Sequence, residues 1–253
     1  MAPISVINGS LAAHEIEHGR WLAAGDAEAT WGWGTPAGRF RAERRGQLIA
    51  AGARLRPGVR ALEIGCGTGL FTALFAASGA DLIAVDLSEE LLAKARYRLL
   101  PEEQVKFLTR PFEDCEIEGP FDAVIGSSVL HHLNLDSALP KIYRLLKPGA
   151  WLSFAEPNML NPQVFLERHF RSLFTGVSPD ETAFVRWRFR KKLLGEGFKE
   201  VTITPFDWLH PATPPSLIPL VRAVSTSLEC LPLLREFSGS LFISARRPVQ
   251  TGS

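Results

Sequence analysis

The stretch that decides the fold is Ala61-Leu-Glu-Ile-Gly-Cys-Gly-Thr-Gly-Leu70, in which an apolar run leads into three glycines spaced two apart. The run predicts a buried strand, and the apolar residues after the glycines predict a helix. Glycine in such a turn allows positive φ angles and leaves no Cβ between the main chain and a ligand. We therefore expect a small molecule to lie against the backbone of this turn. The turn residues are Gly65, Cys66, Gly67, Thr68 and Gly69.

Strand-like and helix-like segments alternate outward from this turn, which is typical of a parallel sheet covered by helices on both faces. Strands are predicted at residues 60–64, 81–85, 105–109, 121–126, 150–155, 201–205 and 241–245. Helices are predicted at residues 88–99, where Ser88 can cap the first turn, and at residues 136–146. A capping box at residues 178–181 predicts a further helix, which Gly195 or Gly197 is expected to end.

Asp86 ends the second predicted strand, about 17 residues after Gly69. In a parallel sheet, a carboxylate at this position can accept hydrogen bonds from two ribose hydroxyls. A dinucleotide loop reads G-x-G-x-x-G, but Leu70 stands where its third glycine would be. Glu63 adds a negative charge that would repel pyrophosphate and suits a cationic ligand. The residues therefore favour a nucleoside with a cationic group over a nicotinamide dinucleotide.

Six segments, in this order, resemble the class I S-adenosylmethionine-dependent methyltransferases, and among them the small-molecule branch with a Leu-His-His signature. They are Leu-Glu-Ile-Gly-Cys-Gly-Thr-Gly at 62–69, Val-Asp-Leu-Ser at 85–88, Phe-Asp-Ala-Val at 121–124, Val-Leu-His-His-Leu at 129–133, Leu-Leu-Lys-Pro-Gly-Ala at 145–150 and Glu-Pro-Asn at 156–158. The resemblance covers about residues 55–205. It implies an α/β, Rossmann-like, doubly wound and mostly parallel seven-stranded sheet, with helices on both faces and an antiparallel last strand. It also implies S-adenosylmethionine as the methyl donor.

The resemblance implies a role for each residue that matches a family motif. Glu63 and the turn at 65–69 are expected around the methionine part of the donor. Ser127 and Ser128, at the end of the fourth strand, are expected to border the same part.

The nucleoside end of the donor is expected at three further places. Asp86 is expected on the ribose and Leu87 against the adenine face. Where the family often has Gly-Asp-Ala, this chain has Arg110-Pro-Phe-Glu113. The Phe112 backbone, with Glu113, is therefore expected to take the place of that aspartate beside the adenine amine.

Methyl transfer from a sulfonium is an in-line displacement with an activated donor, so the protein mainly aligns the acceptor and removes water. A base is needed only when the acceptor must lose a proton. His132 is the first candidate, because phosphobase methyltransferases, which this segment resembles, have a histidine there, and His131 is the second. The alternative is that one or both histidines cap or hydrogen-bond the following helix.

Segments outside the alternating core are expected to close the site and choose the acceptor. We expect an N-terminal helical lid at residues 1–55 and a methyltransferase domain at residues 56–253, with insertions at 157–178 and 206–239. Trp31 and Trp33 are expected over the cationic donor, with Arg39 toward a carboxylate. The alternative for this segment is an N-terminal arm packed on the surface.

One apolar stripe leaves three interpretations open. Its members recur at helical spacing and are Leu217, Leu220, Val224, Leu228 and Leu231. The stripe either lines an apolar acceptor pocket, rests on a membrane surface or packs in the core. The acceptor itself is expected to be a small apolar or lipid-like molecule, methylated at oxygen, nitrogen or carbon.

Composition restricts the partners. The 28 Lys and Arg residues against 27 Asp and Glu residues give a net charge of +1, so no global field attracts nucleic acid, which is not an expected partner. The basic run at residues 186–192 is predicted as a helix with one solvated side. No stretch of 18 apolar residues and no basic leader is present, and three scattered cysteines suit a reducing compartment, so a cytoplasmic protein without a transmembrane segment is expected.

Three rival functions follow from other features. His14-Glu-Ile-Glu-His18 has the H-E-x-x-H spacing of zinc peptidases, but Gly19 follows at once and no third ligand is evident, so no metal site is expected. A nicotinamide-dependent oxidoreductase would share the fold. A non-catalytic nucleoside-binding protein would share the glycine turn.

Overall fold

The computed structural model describes residues 4–113, 116–170 and 182–249. Its strands are β1 (Arg60–Ile64), β2 (Asp81–Asp86), β3 (Val105–Thr109), β4 (Phe121–Ser127), β5 (Leu146–Pro157), β6 (Lys199–Phe206) and β7 (Ser240–Arg246). Its helices are α1 (Ile4–Ala24), α2 (Ala27–Thr30), α3 (Pro36–Gly52), α4 (Leu70–Ala76), α5 (Glu89–Arg96), α6 (Leu135–Leu145), α7 (Pro162–His169), α8 (Arg186–Gly195) and α9 (Ile218–Cys230).

All seven strands form one sheet in the order β3-β2-β1-β4-β5-β7-β6. Strands β1 to β5 pair in parallel, whereas β7 is antiparallel to both β5 and β6. The predicted Rossmann-like α/β fold with an antiparallel last strand is confirmed. Each predicted strand occurs in the sheet; β5 begins earlier than expected, because Leu146 already pairs with Phe121 across an irregularity in the register.

Side chains that alternate along β1 enter different cores, because successive residues of a strand face opposite sides of the sheet. Ala61 packs with α3 and α4 residues, including Ile49 and Phe75. Leu62 packs on the other side with α6 and α8 residues, including Leu139. The sheet is therefore covered on both faces, which leaves the carboxyl ends of the parallel strands as the edge open to a ligand.

Two expectations about helices need correction. Helix α8 ends at Gly195 as predicted but begins only at Arg186, because Phe184 forms a bridge with Asn158. The helix is therefore not continuous from the capping box, and the box itself lies outside the described residues. Helix α3 packs on α4 and β5, so the core layer starts within the segment predicted as a lid.

Candidate functional site

A cavity of about 780 Å³ opens at the carboxyl ends of β1, β2 and β4. The glycine turn is fixed there because Gly65 N and Cys66 N both donate to Val85 O, at 2.8 and 3.2 Å. The cavity is lined by most of the residues that the sequence predicts for the site. These are Trp31, Trp33, Gly65, Cys66, Gly67, Thr68, Asp86, Leu87, Phe112, Glu113, Ser127, Ser128, His131 and His132.

The three glycines of the turn have different surroundings, although all have positive φ angles. A Cβ built on Gly67 would lie 3.3 Å from the Trp31 ring, on the cavity side. A Cβ on Gly69 would instead lie 2.9 Å from the Cβ of Ala95 on α5, and Gly69 is not among the lining residues. The expected ligand contact of Gly69 is therefore corrected: this glycine allows two helices to approach each other.

Glu63 lies behind the turn rather than in the cavity. It is 1% exposed, it does not line the cavity, and its Oε2 has no hydrogen-bond partner among the described residues. Burial raises the pKa of Glu63 to about 8, because the ionised carboxylate loses its hydration. The sequence predicts that Glu63 contacts the methionine part of the donor. This expectation is corrected, because the turn residues lie between Glu63 and the cavity.

Asp86 links the turn to the next helix. Its Oδ2 accepts from Gly67 N at 2.7 Å and its Oδ1 accepts from Ser88 N at 2.9 Å. Burial raises the pKa of Asp86, and these backbone donors oppose the shift. The carboxylate lines the cavity at the end of β2, where the sequence predicts a ribose.

Phe112 and Glu113 border the cavity beyond β3. The Phe112 carbonyl accepts from Lys141 Nζ at 2.5 Å, and Glu113 Oε1 accepts from Asn134 N at 3.1 Å. Both residues are thus tied to α6 or its first turn. The position predicted to lie beside the adenine therefore holds the fixed backbone of Phe112 and the carboxylate of Glu113.

Arg45 is the main site residue that sequence reasoning missed. This α3 side chain is buried and donates to Ser128 Oγ at 2.8 Å, to Ala155 O at 3.1 Å and, at short range, to Ser240 Oγ. Its guanidinium forms no ion pair with the described residues, and burial lowers the pKa of Arg45 to about 10. A buried cation that lines a cavity offers a place for an anionic group of a ligand.

Arg39 does not take the position predicted for it. It is exposed, the one described hydrogen bond of its side chain is a 3.5 Å contact with Gly34 O, and it does not line the cavity. Arg41 and Arg45, which lie four residues apart on one face of α3, line the cavity instead. The guanidinium carbons of these two arginines lie 5.2 and 5.4 Å from the centre of the Trp33 ring.

The two adjacent histidines have different environments. His131 is buried, with Nδ1 2.6 Å from Glu156 Oε2, while Glu156 Oε1 accepts from Val129 N and Leu130 N. This set of contacts fixes the 3-10 turn at Leu130–His132. His132 is 22% exposed and lines the cavity, with its ring 4.2 Å from that of His131.

The two insertions contribute to the cavity in different ways. Helix α7 and residues 207–211 line it, with Val164, Trp208 and Leu209 as apolar members. The leucine stripe of α9 does not line it; Leu217, Leu220, Val224 and Leu231 are 46–62% exposed. These four residues therefore do not pack in the core, while Leu228 is half-buried, and none of the five lines the cavity.

Two buried N–H groups in the cavity lining show whether the cavity suits a nucleoside methyl donor. Arg45 Nε and Trp208 Nε1 are buried in lining residues and have no hydrogen-bond partner among the described residues. Unpartnered buried donors are costly, so a ligand with acceptor oxygens would relieve them. Together with the Asp86 carboxylate and the bare turn at Gly67, they fit a molecule with a carboxylate and a ribose.

The described ranges give no support to a metal site or a membrane span. Across residues 4–113, 116–170 and 182–249, no three His, Cys, Asp or Glu side chains converge as a metal-binding group. Within those same ranges, no helix has both the length and the apolar character to cross a bilayer.

Comparisons with known proteins find a methyltransferase domain and relatives that are named methyltransferases. A family model described as a methyltransferase domain matches residues 62–152. A ubiquinone biosynthesis O-methyltransferase of Bordetella avium is 34% identical over 113 residues, covering 43% of this chain and 46% of that protein. An uncharacterised methyltransferase of Synechocystis sp. is 32% identical over 147 residues, covering 56% and 66%. The N-methyltransferase NodS from Bradyrhizobium japonicum, solved with S-adenosylhomocysteine, has a TM-score of 0.63 at 17% identity, covering 92% and 98%.

The sheet order, the antiparallel β7 and the glycine turn after β1 define a Rossmann-like methyltransferase fold. The family match at residues 62–152 and the sequence relatives support a class I S-adenosylmethionine-dependent methyltransferase. It spans about half the length of the Bordetella relative and about two thirds of the Synechocystis one.

Proposed function

We propose that this protein transfers a methyl group from S-adenosylmethionine to a small apolar or lipid-like acceptor by in-line displacement. The observation that carries the proposal is the convergence of the bare turn at Gly67, the Asp86 carboxylate and the buried Arg45 guanidinium on one cavity. When bound, the donor supplies a methyl group on a positively charged sulfur.

The residues of the chain bind and orient that donor. Arg45 pairs with the methionyl carboxylate, beside Ser127 and Ser128 at the end of β4. Asp86 accepts from the ribose hydroxyls, with Leu87 against the adenine and the backbone of Phe112, with Glu113, near its amine. The Trp31 and Trp33 rings, with α1 and α2, exclude water from the sulfonium.

Two features favour a small apolar acceptor. In the part of the cavity bounded by α7 and residues 207–211, Val164, Trp208 and Leu209 offer apolar contacts. They lie beside polar lining residues such as Gln163 and His210. The Bordetella relative is named for ubiquinone biosynthesis and is an O-methyltransferase, whereas NodS is an N-methyltransferase. These names differ in the methylated atom, and the labelled product will identify that atom for this protein.

Calorimetry and product analysis test the proposal together. We expect S-adenosylmethionine and S-adenosylhomocysteine to bind and NAD to give no heat. With donor labelled on the methyl group and a fractionated cell extract, we expect label in a small apolar product that mass spectrometry identifies. NAD binding would favour the oxidoreductase alternative, and donor binding without any labelled product would favour the non-catalytic binder.

Replacing Asp86 with alanine is expected to weaken donor binding about tenfold to a hundredfold, because a pair of ribose hydrogen bonds is lost. Calorimetry with S-adenosylhomocysteine measures the change. Asp81→Ala is the matched control, since Asp81 is exposed at the other end of the same strand. Equal affinities of Asp86→Ala and the parent would reject the ribose assignment.

We also propose that the α9 stripe rests on a lipid surface, as suits a lipid-like acceptor. Each exposed leucine buried in lipid contributes about 1.5–3 kcal/mol, so Leu220→Ser is expected to lower vesicle affinity about tenfold or more. Sedimentation with phosphatidylglycerol vesicles measures this, and Leu99→Ser, an exposed leucine outside the stripe, is the control. A dimer in light scattering that Leu220→Ser dissociates, without vesicle binding, would show instead that the stripe joins two copies.

A further inference from the structure

Helix α1 lies over the cavity and is held to α5 at two places. A Cβ built on Gly19 would lie 2.8 Å from the Ser88 Cβ, so only glycine permits this approach. The next residue of α1, Arg20, donates from Nε to Glu90 Oε1 at 3.0 Å. Because of this docking, Glu15, His18 and Gly19 line the cavity.

Because α1 packs on α5 in this way, Glu15 lies at the edge of the His132 ring. Its Oε1 lies 3.2 Å from His132 Nδ1, and the two side chains are 14% and 22% exposed. Nδ1 makes no hydrogen bond of regular geometry with the described residues, so the contact is mainly electrostatic. His131, whose ring packs against His132, is held separately by Glu156.

We propose that Glu15 is a positioning residue that makes His132 the base of the methyl transfer, an inference that rests on the proposed function. An ionised carboxylate only accepts hydrogen bonds, so it repels a lone pair on Nδ1 and favours the tautomer that carries the proton there. Nε2, on the opposite edge of the ring, then keeps its lone pair for the cavity.

The proton and electron balance of the step is simple. The Nε2 lone pair takes the proton from an O–H or N–H group of the acceptor. The electron pair left on the acceptor atom forms the bond to the methyl carbon, and the electrons of the broken carbon–sulfur bond stay on sulfur. His132 ends protonated, and the Glu15 carboxylate beside it stabilises that charge.

The first experiment measures the His132 tautomer without donor or acceptor. Nitrogen-15 shifts of histidine-labelled protein, assigned with His132→Gln, are recorded in alkaline buffer. We expect the Nδ1–H form in the parent and in Glu17→Ala, and mainly the Nε2–H form in Glu15→Ala. Glu17 is exposed on the same helix, so it is the matched control. Glu15→Gln, whose amide oxygen still accepts, is expected to restore Nδ1–H in part.

The second experiment measures turnover, using the labelled donor and the acceptor that the extract identifies. Glu15→Ala is expected to lower kcat about ten- to a hundredfold, the usual loss when a group that orients an imidazole is removed. The affinity for S-adenosylhomocysteine is expected to stay unchanged, as is the turnover of Glu17→Ala.

The two readouts separate failure of this inference from failure of the proposed function. An unchanged tautomer in Glu15→Ala, or an Nε2–H form in the parent, overturns the role of Glu15 even if methyl transfer is found. Unchanged turnover in Glu15→Ala overturns it as well. Absence of donor binding would reject the proposed function, while the tautomer spectra would still report on the Glu15 contact.

Discussion

Replacing His132 with alanine is expected to reduce methyl transfer by about a hundredfold to ten-thousandfold, the contribution of a well-placed general base. The affinity for S-adenosylhomocysteine is expected to change little, because the imidazole acts on the proton of the acceptor. Initial rates with the identified acceptor, and calorimetry with S-adenosylhomocysteine, measure the two quantities.

His169→Ala is the control for that variant, since His169 is an exposed α7 histidine outside the cavity lining. Parent-like turnover in His132→Ala would contradict the base assignment. His131→Ala is expected to fail differently, by loss of stability, because Glu156 would be left buried without the imidazole that it contacts at 2.6 Å.

Replacing Glu63 with glutamine is expected to flatten the pH dependence of folding stability. The pKa of Glu63 is raised by burial to about 8, so the native protein keeps a proton that the unfolded chain releases near the ordinary value of 4.5. The native state then binds more protons than the unfolded state between these values, so stability falls as pH rises through this window. The loss is roughly 1 kcal/mol for each pH unit.

Urea unfolding of the ligand-free protein at several pH values between 5 and about 8 measures the slope. Glu63→Gln lacks the titrating group and is expected to exceed the parent in free energy of unfolding at the alkaline end. Glu102→Gln, at an exposed position, is the control. The same slope in Glu63→Gln and the parent would contradict the assignment of a buried, protonated carboxyl group.

The fold could be predicted because its signals are local in the chain. Each strand is a short apolar run. The turn at 65–69 joins β1 to α4, and its three glycines have the positive φ angles that the turn requires. The antiparallel β7 was implied by the family resemblance and not by any pattern in residues 241–245. Strand order depends on long-range pairing, for which the residues themselves carry no local signal.

The site was less predictable where the answer depends on how a helix is rotated. Helix α3 carries Arg39, Arg41, Arg44 and Arg45, and the sequence offers no reason to prefer one of them. Packing of Ala42 and Ile49 toward the sheet turns Arg41 and Arg45 to the cavity and leaves Arg39 in solvent. Residues four apart lie on the same face of a helix, so the sequence alone could have grouped Arg41 with Arg45. It could not show that this face turns to the cavity, because tertiary packing decides how the helix is rotated.

Residues of one type that are close in the sequence also have different roles, because they contact different parts of the folded chain. Gly67 and Gly69 are equivalent in the motif, but only Gly69 meets α5. His131 and His132 are adjacent, and Glu156, 25 residues away in the chain, decides which of them is fixed in the core. The α9 stripe has the periodicity of a buried helix face, and only the structure shows that four of its five members are exposed.

The buried Arg45 joins the ends of three strands, through Ser128 after β4, Ala155 in β5 and Ser240 in β7. Burying a guanidinium without an ion pair costs desolvation free energy, and an anionic ligand group beside it would offset part of that cost. Because a ligand that binds only the folded state raises the free energy of unfolding, the melting temperature of this protein is expected to rise with the concentration of added methyl donor.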